Sequence, residues 1–92
     1  MTKADVINAI VAETGISKVD ATASVEAFMT VVKRAMAEGK EDVFLRGFGT
    51  FVIKRRAEKL ARNISKNTSV LIPAHDYPTF KPAKSFVEQM NQ

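Results

Sequence analysis

The stretch from Lys54 to Ser69 limits what this chain can fold into more than any other part of it. Only Ala57, Leu60, Ala61 and Ile64 are apolar there, and they follow no sustained period. An element that packs on a core needs apolar side chains recurring about every 3.6 or every 2 residues. This segment therefore lacks a face to bury. Extended runs bracket it: Phe48 to Ile53 before, and Val70-Leu71-Ile72, closed by Pro73, after. The pattern predicts a long hairpin whose outer part has no core beneath it, with a polar tip from Asn63 to Thr68. Asn67 suits a tip turn because asparagine tolerates positive φ.

The same segment holds most of the excess charge. Lys54, Arg55, Arg56, Lys59, Arg62 and Lys66 are opposed there only by Glu58. The chain of 92 residues is +4 overall, but residues 1–42 carry five Lys/Arg against seven Asp/Glu, and residues 43–92 carry nine against three. Six cations within thirteen residues repel one another unless a polyanion neutralises them. A charge run alone also fits a solvated loop, so its surroundings must decide. A basic two-stranded ribbon has the width to enter a DNA groove. Its cations would meet phosphates, which supplies affinity without sequence information. Ile64 stands bare at the tip between Asn63 and Ser65. An apolar wedge between base pairs unstacks them and kinks the duplex at a cost of roughly a few kcal/mol, which phosphate contacts and counterion release can offset.

The rest of the chain reads as one small α+β domain. Thr2-Lys3-Ala4-Asp5 has the form of a capping box, Val6, Ile7, Ile10 and Val11 follow at helical spacing, and Gly15 closes the helix. Ser17-Lys18-Val19-Asp20 opens a second helix that runs to about Glu38, with Gly39 as its stop. Its apolar positions, Val19, Val25, Phe28, Met29, Val32 and Met36, are interleaved with alanines. That stripe is too wide for one short partner helix, which predicts a dimer. After Asp42 the period changes to two. Val43-Phe44-Leu45 is a short strand, Arg46-Gly47 a turn, and Phe48 to Ile53 a second strand. Gly47 and Gly49 predict a tight turn and close backbone packing, because no Lys-Ser/Thr or following helix supports a phosphate loop. Pro82 suits the first turn of a closing helix, with Phe86, Val87 and Met90 as its docking edge.

Several classes of function lack the residues they need. There is no cysteine, which excludes disulfides, thiolate-ligated metals and thiol catalysis. His75 is the only histidine and reads as a surface residue beside Asp76. No His/Asp/Glu set has metal-ligand spacing, and Gly-x-Ser-x-Gly is absent. The expectation is a protein without enzymatic activity, cofactor or metal. Glu41-Asp42 reads as surface charge. The start, Met1 to Asp5, lacks the apolar run of a signal peptide, and no stretch is long enough to span a bilayer.

Leu45-Arg46-Gly47-Phe48-Gly49-Thr50-Phe51, Arg62-Asn63, Ile72-Pro73-Ala74 and Pro78-Thr79-Phe80-Lys81-Pro82-Ala83-Lys84 occur in this order over essentially the whole chain. In this arrangement the sequence resembles the HU / integration host factor family of bacterial histone-like, DNA-bending proteins. The resemblance implies an intertwined dimer with a helical base in residues 1–42, a three-stranded antiparallel sheet in 43–81, a DNA-binding β-arm at about 54–74 and a short C-terminal helix in 82–92. It implies a homodimer, or a heterodimer with a close relative, that binds double-stranded DNA through the minor groove and is associated with the nucleoid in the cytoplasm. No membrane or small-molecule substrate is implied. Arg62 and Asn63 would lie in the minor groove beside the Ile64 wedge and Ser65. Lys54, Arg55, Arg56, Lys59 and Lys66 would meet phosphates along the arm, and Lys3, Arg46, Lys81 and Lys84 would do so on the body. Lys3 and Lys84 also sit near helix N-termini, which favour phosphate. The family's tip usually reads Arg-Asn-Pro-x-Thr-Gly. Here Ile64 takes the proline position, Lys66 the threonine and Asn67 the glycine, which bears on the depth and angle of the kink. Ala83 stands where the family often has glycine. Two other readings are kept: a site-specific bender like integration host factor, and a protein-interaction module whose arm adds a strand to an acidic partner.

Overall fold

The computed structural model describes residues 1–63 and 65–92, with no description of the Asn63 side chain. It contains two compact units, Met1–Glu38 and Gly39–Gln92.

The first unit is a pair of helices, α1 (Lys3–Thr14) and α2 (Lys18–Ala37). The capping box at the start of α1 forms as expected: the Asp5 amide donates to Thr2 Oγ1, and the Thr2 amide donates back to Asp5 Oδ2 at 2.9 Å. Gly15 ends α1 in the left-handed region, at φ 76°. Ser17 caps α2 by accepting from the Asp20 amide at 3.1 Å. α1 and α2 pack against each other, and Ile7, Ala21 and Met36 are the buried apolar residues of this unit. Of the stripe on α2, Val19 and Phe28 are exposed, Val25, Met29 and Val32 half-buried and Met36 buried; Val31, outside the stripe, is 59% exposed. The residue that leaves α2 through the left-handed region is Lys40, at φ 53°, rather than Gly39.

The second unit holds five strands and a helix: β1 (Val43–Leu45), β2 (Gly49–Arg56), β3 (Lys59–Asn63), β4 (Thr68–Ile72), β5 (His75–Pro82) and α3 (Lys84–Met90). Strands β1, β2 and β5 form an antiparallel sheet in the order β1-β2-β5, and β3 and β4 form a separate two-stranded ribbon. The third strand of the sheet is thus β5, which the sequence reading did not assign. Pro78 and Pro82 obscured it. They are tolerated because β5 is an edge strand, where a missing N–H can face outward. The Val70–Ile72 run is extended as expected, but it pairs within the ribbon. Pro82 ends β5 opposite Gly49 and does not open α3, whose N-cap is Ala83.

Phe48, Phe51, Phe80 and Phe86 form the aromatic centre of this unit, with ring centroids 5.0 Å apart for Phe48–Phe80, 5.1 Å for Phe51–Phe80 and 5.5 Å for Phe48–Phe86. Only Phe86 of the expected α3 edge docks; Val87 and Met90 are exposed. Gly47 turns the chain at φ 81°, while Gly49 is the close approach, where a Cβ would lie 2.5 Å from the Phe80 ring and 2.6 Å from the Lys81 carbonyl oxygen. Asp42 does more than carry surface charge. Its Oδ1 accepts from the Ile53 amide at 2.9 Å, beyond the point where three-residue β1 ends opposite Phe51.

Candidate nucleic-acid interface

β2 and β5 stay paired through Arg56 opposite His75. The ladder stops at Ala57-Glu58 and Pro73-Ala74 and resumes with Lys59 opposite Ile72. The ribbon then runs to Asn63 opposite Thr68. Both β3 and β4 are almost wholly exposed, as expected for a hairpin without a core. Alternation places Leu60, Arg62, Ser69 and Leu71 on one face, and Lys59, Ala61, Thr68, Val70 and Ile72 on the other. Leu60 and Leu71 are direct partners, 70% and 56% exposed.

At the tip, Ser65, Lys66 and Asn67 make the turn, and Asn67 takes the positive φ its sequence allows, at 51°. Arg62 donates from Nη2 to Asn67 Oδ1 at 2.9 Å, which braces the turn against β3. The Ile64 wedge and the Asn63 side-chain contact lie outside the described residues.

Along β2, Lys54, Arg55 and Arg56 are all exposed. The Arg56 guanidinium sits over the Tyr77 ring, 5.3 Å from its centroid. That stacking aims the cation without consuming its hydrogen-bond donors. Arg55 donates from Nη1 to Asp76 Oδ1 at 3.0 Å, and Lys40 Nζ donates to Asp76 Oδ2 at 3.4 Å. These donors, Arg55 foremost, hold the Asp76 carboxyl below the usual carboxylate range.

The remaining cations of the second unit gather at the other end of the sheet. Arg46 is exposed in the β1–β2 turn, Lys81 is exposed opposite Thr50, and Lys84 opens α3 with Glu88 4.0 Å away. At roughly 3.3 Å per strand residue, the length of β2 separates this group from Arg56 by about 23 Å. The sheet therefore presents two cationic stations and the ribbon a third. In the helical unit, Lys3 pairs with Glu26, and that ammonium keeps the Glu26 carboxyl below its ordinary range. Tyr77, Asp76 and Lys40 were not among the residues picked out by sequence. Their roles depend on the register of β5, and only that strand's assignment could have revealed them.

A family model described as bacterial DNA-binding protein matches residues 1–91. The chain belongs to the HU family of bacterial DNA-binding proteins. Among its HU relatives, the DNA-binding protein HU of Thermus thermophilus is 35% identical over 92 residues, covering 100% of this chain and 94% of that protein. The HU of Geobacillus stearothermophilus is 39% identical over 85 residues, covering 92% and 93%. Among solved structures, Anabaena HU in a cocrystal with DNA superposes with a TM-score of 0.90 at 30% identity, over 98% of this chain and 97% of that one. The α+β fold of three helices with antiparallel strands is that of these HU neighbours. No described helix is long and apolar enough to cross a membrane.

Proposed function

We propose that this chain is a histone-like architectural protein that binds double-stranded DNA through the minor groove, with little sequence selectivity, and bends or compacts it. The observation that carries the reading is the exposed β3–β4 ribbon. A strand pair without a core costs conformational entropy and gains little by burial, so its use lies in what it touches. With Lys59, Arg62 and Lys66 on it and Lys54 to Arg56 at its root, that object is a polyanion. A duplex is also what the Anabaena neighbour was crystallised with. The role is structural rather than catalytic, and its place is the nucleoid.

The active form on this reading is a dimer, a homodimer or a heterodimer with a close relative. The exposed Phe28 and Val31, one turn apart on α2, support it, because a lone helix pair that leaves such side chains in water forgoes part of its burial energy. The thirteen cationic, polar and apolar positions drawn from the sequence, from Lys3 to Lys84, form the proposed contact set.

The test is titration of a mixed-sequence duplex labelled at both ends, following energy transfer at two salt concentrations. Transfer that rises with protein and weakens steeply with salt supports binding with bending. Salt-sensitive binding without a change in transfer would leave a coating protein that does not bend. A preference above roughly a thousandfold for selected sites would favour the site-specific relative. Replacing Ile64 with serine removes the proposed wedge while leaving every cation in place. The expected outcome is a clear fall in transfer at saturation, with affinity changed by less than about threefold because phosphate contacts dominate binding. Unchanged transfer would remove the wedge.

A further inference from the structure

We propose that Asp76 is an internal stand-in for a DNA phosphate: it occupies Arg55 and Lys40 in the free protein and must be displaced before they can engage a duplex. The inference rests on the proposed DNA-binding function and adds an affinity-setting residue to it.

The argument starts from register. Asp76 lies directly opposite Arg55 across β2 and β5, so both side chains leave the sheet on the same face. One carboxylate oxygen accepts from Arg55 and the other from Lys40, at 3.0 and 3.4 Å. Two anionic oxygens bridging two cations is also how the free oxygens of a phosphodiester would be held. The position is the root of the arm, between Lys54 and Arg56, where the proposed interface needs its charge.

The pair has little structural purpose. The Arg55 and Asp76 side chains are 65% and 33% exposed, and ion pairs so open to water contribute little to stability. The two strands are already aligned by eight paired positions. What the carboxylate does change is the charge offered to DNA. It cancels a cation in the middle of the basic run and draws in Lys40, which precedes the sheet. When a phosphate takes Arg55, the duplex releases a counterion, but the freed Asp76 gathers a cation in exchange. The net ion release at this station is therefore close to zero.

The test compares wild type, Asp76→Asn, Arg55→Ala and the double variant by fluorescence titration of one mixed-sequence duplex over a range of salt. Asp76→Asn keeps the side chain's shape and removes its charge. It should tighten binding about 1.5- to 5-fold, the size of an exposed ion-pair coupling. The log K against log salt line should steepen by up to about 0.9, one recovered counterion. In the Arg55→Ala background, where only Lys40 remains to be released, the same substitution should steepen the slope less and tighten binding less. Equal tightening in both backgrounds would overturn the proposal and make Asp76 a general repulsive charge. Unchanged affinity and slope in both would overturn it as well. Wild type that fails to bind the duplex would defeat the DNA-binding reading itself, a separate readout. Thermal melts within a few degrees of wild type establish that each variant is folded.

Discussion

Replacing Gly49 with alanine is expected to lower the midpoint of thermal unfolding by on the order of 10–20 °C. A Cβ there would sit 2.5 Å from a carbon of the Phe80 ring and 2.6 Å from the Lys81 carbonyl oxygen. Such distances lie far inside van der Waals contact. The ring cannot retreat freely, because it packs against both Phe48 and Phe51. The carbonyl belongs to β5, which is fixed by its ladder to β2. Overpacking of this kind costs about 1–3 kcal/mol, more where backbone must move. For a domain of this size each kcal/mol shifts the midpoint by about 4–8 °C. Gly47→Ala is the control. A Cβ at Gly47 meets nothing within 4 Å, but its φ of 81° is costly for alanine, by about 1–2 kcal/mol. Differential scanning calorimetry should therefore rank Gly49→Ala below Gly47→Ala below wild type. A Gly49→Ala melt at the wild-type temperature would show that β2 and β5 do not approach so closely.

The second large effect concerns affinity. Arg56→Ala combined with Lys59→Ala should weaken duplex binding on the order of 50-fold at about 0.1 M salt, and flatten the log K against log salt slope by about 1.8. Each lost phosphate contact removes about 0.9 of a released counterion, and at that salt each release carries nearly a decade of affinity. These two cations flank the break between sheet and ribbon, and neither has an anionic partner among the described residues. Arg55 differs, because Asp76 already offsets it. The two results together distinguish cations held in reserve from cations offered outright. Binding curves over a range of salt give both quantities, and an unchanged slope would place the duplex elsewhere on the protein.

The helices were legible in the sequence because their ends are written in local chemistry. Thr2 with Asp5, Ser17 with Asp20 and Gly15 each act over a few residues, and each formed as expected. The ribbon was legible for the opposite reason, since a segment with no period has no core to serve. β5 was hidden because its prolines break the strand signal, and their tolerance follows from its place at the sheet edge. The Asp42 bond to the Ile53 amide and the Asp76 bridge were hidden for a related reason. Both join residues eleven or more positions apart, so they exist only once strand register is set. Reading α3 from Pro82 erred in the same direction: the proline signal was real but belonged to the strand before it.

The same edge geometry bears on crowding. A β-sheet with an open edge invites another molecule to add a strand, and proteins that line a shared polymer meet each other at high local concentration. Here one edge, β1, is three residues long, and the other, β5, carries Pro78 and Pro82. Neither can supply the unbroken row of donors and acceptors that end-on zippering needs. On the ribbon, Lys59 and Arg62 place charge along the β3 margin, where like charges repel a second copy. Both edges of the three-stranded sheet thus disfavour strand addition by a second copy, so close neighbours are kept from fusing through this sheet into a fibre.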